Sequence, residues 1–184
     1  MPRTHAGAAL TFRDQANVIR LAVEAQHARC TAELVPHGPQ DPAWRRGMIG
    51  RITDAQLMVL MLGRLGRLAR RVAASTYATP ALQQAIARFD DIVPHVKDLR
   101  DTDEHFDDYS ARTGKRQRKG GEPSYRWSFA HTTGEMYLSY GPYRINSTEA
   151  LAAGQLLHRA IRAAVDADAE QDPEGGRDLI FPDR

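Results

Sequence analysis

Two cap-and-proline pairs, Asp41-Pro42 and Thr79-Pro80, set the frame of this chain. In each, a short polar side chain that accepts from helix-start N–H groups precedes a proline, whose missing donor costs nothing at the first helical position. A third start signal, Asn146-Ser147-Thr148-Glu149, is a capping box with the amide at the cap and the glutamate three residues on. Around these signals apolar residues recur at steps of three and four, the period of a helix buried along one face. Phe12, Ala16, Ile19, Ala22, Val23 and Ala25 predict a first helix from about Phe12 to Leu34, ended by Pro36-His37-Gly38-Pro39. Leu57, Met61, Leu65, Leu68 and Val72 predict a central helix from Pro42 to about Ser75, with a break near Gly47–Gly50. Leu82, Ile86, Phe89, Val93, Val96 and Leu99 carry a third, which Pro94 must kink or divide. Leu157, Ile161 and Val165 place a last helix inward, to about Ala169.

Between the third and last helices the period changes. Ser110–Pro123 holds four Gly or Pro, five basic residues and no large apolar side chain, the composition of a loop. Tyr125, Trp127, Phe129, then Met136, Leu138 and Tyr140 alternate with period two around His131-Thr132-Thr133-Gly134, which predicts a β-hairpin at about 124–141 closed by Gly141-Pro142. The expected fold is an all-α bundle of four to five helices with a β-hairpin inserted before the last helix. Residues 1–171 form one domain in this reading and 172–184 a frayed tail.

A length of 184 residues with 42% hydrophobic content supplies a real core. The longest apolar run, Leu57–Leu62, is six residues, far short of the roughly 18–20 of a membrane span. Met1–Leu10 has no sustained apolar stretch, so no secretory leader and a cytoplasmic location are expected. The single Cys30 excludes an internal disulfide and a zinc ribbon, and its helical setting reads as a small core residue.

The net charge of +2 conceals blocks of one sign. Arg45–Arg71 holds seven arginines against Asp54, Asp98–Asp108 holds six acids against Arg100, and Arg112–Lys119 returns five basic residues in eight. Such blocks mark either a nucleic-acid or other anionic partner, or a basic helix packed beside an acidic one.

The stretch with chemical content is Leu99-Arg100-Asp101-Thr102-Asp103-Glu104-His105-Phe106-Asp107-Asp108-Tyr109. Four Arg–His pairs occur at comparable spacing: Arg20/His27, Arg88/His95, Arg100/His105 and Arg126/His131. Only Arg100/His105 has a polar residue after the arginine and sits late on a core helix. With that context the stretch resembles the Arg-x(4–6)-His motif of the HEPN superfamily, and residues 50–165 are similar to helical proteins of actinobacteria. The resemblance implies a small helical bundle, typically a homodimer with a shared cleft, acting as a metal-independent ribonuclease of toxin–antitoxin or defence systems, or as a catalytically silent relative. It implies no cofactor and no metal, and a protein partner such as an antitoxin. In the ribonuclease role Arg100 stabilises charge on the scissile phosphate, His105 orients or protonates a reacting oxygen, and the ribose 2′-hydroxyl attacks.

Helical geometry adds that Asp101, His105 and Asp108 share a face, so Asp101 is placed to orient the His105 imidazole. Arg100 points about 140° away from His105 on a regular helix, which favours a site built by two subunits or a helix broken near Arg100. The basic run Arg112, Lys115, Arg116, Arg118 and Lys119 is the expected RNA-binding loop. Other readings stand beside these. Arg100 pairs with neighbouring acids and the chain is a non-enzymatic interaction or dimerisation module; Asp101, His105 and Asp108 ligate a metal; Tyr125, Trp127 and Phe129 stack on bases or pack into the core. His27, His95 and His158 read as structural.

Overall fold

The computed structural model of the chain describes residues 5–32, 40–104, 127–132, 135–140 and 142–171. Among these are five helices: α1 (His5–Thr31), α2 (Pro42–Ala73), α3 (Pro80–Ile92), α4 (Val96–Glu104) and α5 (Ser147–Gln171). Three strands, β1 (Trp127–Thr132), β2 (Glu135–Tyr140) and β3 (Tyr143–Asn146), precede α5. The helical bundle with a hairpin before its last helix is therefore the fold.

The caps form as their chemistry dictates. Asp41 Oδ1 accepts from the Ala43 N–H at 2.7 Å with Pro42 in the first turn, and Thr79 Oγ1 accepts from Leu82 N–H at 3.1 Å with Pro80 behind it. Asn146 Oδ1 takes the N–H groups of Thr148 and Glu149 at 2.9 and 3.2 Å. Pro94 divides rather than kinks the third helix: Val93 leaves α3 at φ −125° and ψ 57°, and α4 begins two residues after the proline. The apolar face nevertheless continues across the break, with Phe89, Val93, Val96 and Leu99 all buried.

α2 is the central element and packs against α1, α3, α4 and α5. It runs unbroken through Gly47 and Gly50, against expectation, because it contains no proline beyond its first residue and its packed length outweighs roughly 1 kcal/mol of lost propensity per glycine. Leu65, Leu68 and Val72 are buried as expected, but the start of the stripe departs from the expected phase. Leu57 is 37% exposed and Met61 only half-buried, while Met58, Val59 and Leu62 are buried. Six consecutive apolar residues leave the phase open, and the neighbours decide it. α1 begins near His5 rather than Phe12, since the alanine-rich start has helix propensity without a strong apolar period.

β1 and β2 form an antiparallel hairpin with Phe129 opposite Leu138. β3, a strand beyond the expected hairpin, extends the sheet with Ile145 opposite Leu138. Four residues are too few for alternation to register as a strand signal. Met136, Leu138 and Ile145 are buried where β2 and β3 meet α4 and α5.

Candidate functional site

At the late third-helix motif, Leu99 is fully buried and anchors α4. Arg100, one residue on, lies across α2 at Gly63, where a Cβ would stand 3.5 Å from its Cδ and 3.9 Å from its Nη1. Its Nε donates to Asp101 Oδ1 at 3.0 Å, and Nη2 makes a second bond to the same oxygen. Only 17% of the Arg100 side chain is exposed. The structure thus brings Arg100 and Asp101 together as an ion pair packed on α2, the arrangement of a guanidinium already committed to a carboxylate. His105 and Asp108 lie outside the described residues, as do Arg112, Lys115, Arg116, Arg118, Lys119 and Tyr125. The side chains of Trp127 and Phe129 are likewise outside them. Among the described residues no group of three or more His, Cys, Asp or Glu is arranged to hold a metal ion.

Six of the seven arginines of Arg45–Arg71 separate by what stands opposite each. Arg51 is buried and donates to the carbonyl of Ala32 just beyond α1, satisfying a helix-end acceptor. Arg70 Nη2 reaches both oxygens of Asp90 at 2.6 and 2.7 Å, tying α2 to α3. Arg45 donates to Gln40 at 3.4 Å. Arg64, Arg67 and Arg71 are different. They are exposed, spaced three and four residues apart on one face of α2, and no carboxylate of the described residues pairs with them. They form one wall of a cavity of about 530 Å³ between α1 and α2, with Leu68 and Ile19 in its lining and Val18, Asp14 and Gln15 on the α1 side. Val18 is 66% exposed. Charge blocks in the sequence pointed to this helix, but only the placement of Asp90, Ala32 and Gln40 reveals which cations remain unclaimed.

A second polar assembly joins α1 to α5. Glu24 accepts from Gln155 Nε2 at 2.9 Å and from Arg20 at 2.6 Å. His158 Nε2 stands 2.9 Å from Asn17 Oδ1, which also accepts from Arg162 Nη1 at 3.3 Å. Arg13 pairs with Asp166 further along the same seam. The Gln155 hydrogen bond and the Arg20 charge hold Glu24 below the usual carboxylate range, and burial lowers His158. Every side chain in this seam has a partner from the other helix or its own, which is what an interhelical clasp requires. His27 is lowered by burial as well. Cys30 is fully buried, and burial with the nearby Asp54 pushes its thiol to about 12, so it is no nucleophile at neutral pH.

No family model matches the chain, and no match was found among curated proteins or solved structures. No helix among the described residues is long and apolar enough to cross a membrane.

Proposed function

We propose that this chain is a HEPN-like helical protein that binds RNA without cutting it, using the arginine-walled groove between α1 and α2. The observation that carries the reading is the row Arg64, Arg67 and Arg71, exposed and without a carboxylate partner among the described residues. On a helix these positions rise about 4.5 and 6 Å apart along the axis, a spacing that suits successive phosphates of a flexible strand. Arginine presents a planar fork that grips phosphate oxygens in pairs. The silent form of the family is favoured over the ribonuclease because Arg100 is packed on Gly63 and bonded to Asp101.

The test is fluorescence anisotropy with a labelled single-stranded RNA. Replacing Arg64, Arg67 and Arg71 together by Ala is expected to abolish most binding and to reduce the slope of log affinity against log salt by about 2, from about 0.7 per neutralised phosphate. Arg70→Ala, which removes one charge from the same helix outside the groove, leaves the slope unchanged. Equal binding by the triple variant and the unaltered chain defeats the proposal.

Metal-free RNA cleavage that disappears in both Arg100→Ala and His105→Ala, with folding intact, would replace silent binding by that activity.

A further inference from the structure

Resting on the RNA-binding reading, we infer that the α1–α2 groove admits one unpaired nucleotide, its base lodged against Val18, Ile19 and Leu68, and that Asp14 selects guanine. Three features lead there. The cavity, at about 530 Å³, is larger than a phosphate requires and lies in the range of pockets for small organic groups. Its lining also holds the apolar Val18, Ile19 and Leu68, which a backbone contact has no use for and the face of an unstacked base does. The arginines line the α2 side only, where the phosphates flanking an inserted base would run.

Asp14 settles the choice of base. A carboxylate beside three arginines weakens a site meant only for anions, because like charges repel across the same small space. It strengthens one that must accept from a base edge. Guanine alone among the RNA bases offers two adjacent N–H donors on its Watson–Crick edge, N1–H and the exocyclic amine, which match the two oxygens of a carboxylate. Gln15, next along α1 and also in the lining, supplies an amide donor for the guanine O6. Duplex RNA, whose bases are stacked and paired, cannot make this insertion without breaking a pair. The groove therefore distinguishes strands by shape and bases by the Asp14 edge.

Binding of labelled oligonucleotides to the full chain tests this directly, using a uridine strand with one central guanine, the same strand with uridine throughout, and a perfect duplex of the first. The guanine strand is expected to bind about tenfold tighter than either of the others, the usual discrimination of one bidentate base contact. Asp14→Ala, at an exposed position, should erase the preference for guanine while keeping affinity for the uridine strand or raising it. Guanosine monophosphate should compete with the strand where ribose 5-phosphate does not. Equal affinity for all three nucleic acids overturns the inserted base, and a guanine preference that survives Asp14→Ala overturns its selection by Asp14; either leaves the RNA-binding reading standing. No binding of any of the three removes both.

Discussion

Arg70 and Arg71 are neighbours in sequence, yet the helix turns them to different surroundings. Arg70 meets Asp90 across the α2–α3 contact, with both side chains about half exposed, so the pair contributes at most about 1 kcal/mol. Arg71 faces the groove. Arg71→Ala is therefore expected to weaken RNA binding several-fold and leave the melting temperature unchanged, whereas Arg70→Ala leaves binding intact and lowers stability slightly. Paired anisotropy and thermal-melt measurements separate the two. Arg100 obeys a third logic. Its stem covers Gly63 and its head holds Asp101, so Arg100→Ala loses packing and leaves a carboxylate without this partner. A loss of about 1 kcal/mol in urea unfolding is expected, with no change in RNA affinity. A collapse of affinity in this variant at unchanged stability would show that the guanidinium swings out to the ligand and that the packed pair is only its resting state.

Elements were legible where a local signal fixes them and opaque where neighbours do. The starts of α2, α3 and α5 are readable because Asp41, Thr79 and Asn146 each accept from their own helix, a contact that needs no tertiary partner. Thr79→Ala should cost about 1 kcal/mol for this reason. The phase of α2 was readable at Leu65, Leu68 and Val72, all buried, but not at Leu57–Leu62, which are all apolar, so that only the placement of α1, α4 and α5 decides that Leu62 is buried and Leu57 is not. β3 escaped because it is defined by pairing with β2 rather than by its own pattern. The groove was half legible: the excess of arginine between Arg45 and Arg71 is plain, but its division into structural and unclaimed cations depends on residues distant in sequence. Glycines show the same division. An added Cβ at Gly63 meets its nearest neighbour at an ordinary 3.5 Å, and at Gly154 it meets Leu62 Cδ2 at 3.1 Å with Leu65 close behind. Gly63→Ala should raise stability by roughly 0.5–1 kcal/mol through helix propensity, and Gly154→Ala should gain nothing, as crowding against the buried leucines offsets that gain.

At the scale of the whole molecule, α1 is held to α5 by the polar seam, and this clasp makes stability depend on pH. His158 is buried among Asn17, Arg162 and Arg20, with Glu24 the only carboxylate among the described residues acting on it in the opposite sense. Burial and the three nearby arginines, Arg20, Arg162 and Arg159, favour the neutral ring and outweigh Glu24, so the folded value lies below 6.5. His27 is lowered in the same direction by burial. The unfolded chain therefore binds protons first as pH falls, and stability rises with pH wherever it does so. The contribution of both histidines is fully present above about pH 6.5 and is lost progressively below it, through the lowered folded values. Glu24, held low by Gln155 and Arg20, adds a separate loss that begins only below its ordinary value of 4.5. Two windows follow, and they are separable. Urea midpoints should fall between about pH 7.5 and about pH 5 in the unaltered chain, and fall less in His158→Gln, whose amide still donates to Asn17 but takes up no proton. Glu24→Gln should leave that upper window unchanged in direction and flatten only the decline below about pH 4.5. An unaltered chain whose midpoint holds constant from neutral pH to about 5 would mean that the seam opens to water and that α1 is secured to the bundle by its apolar face, Ala16, Val23 and Cys30 among it.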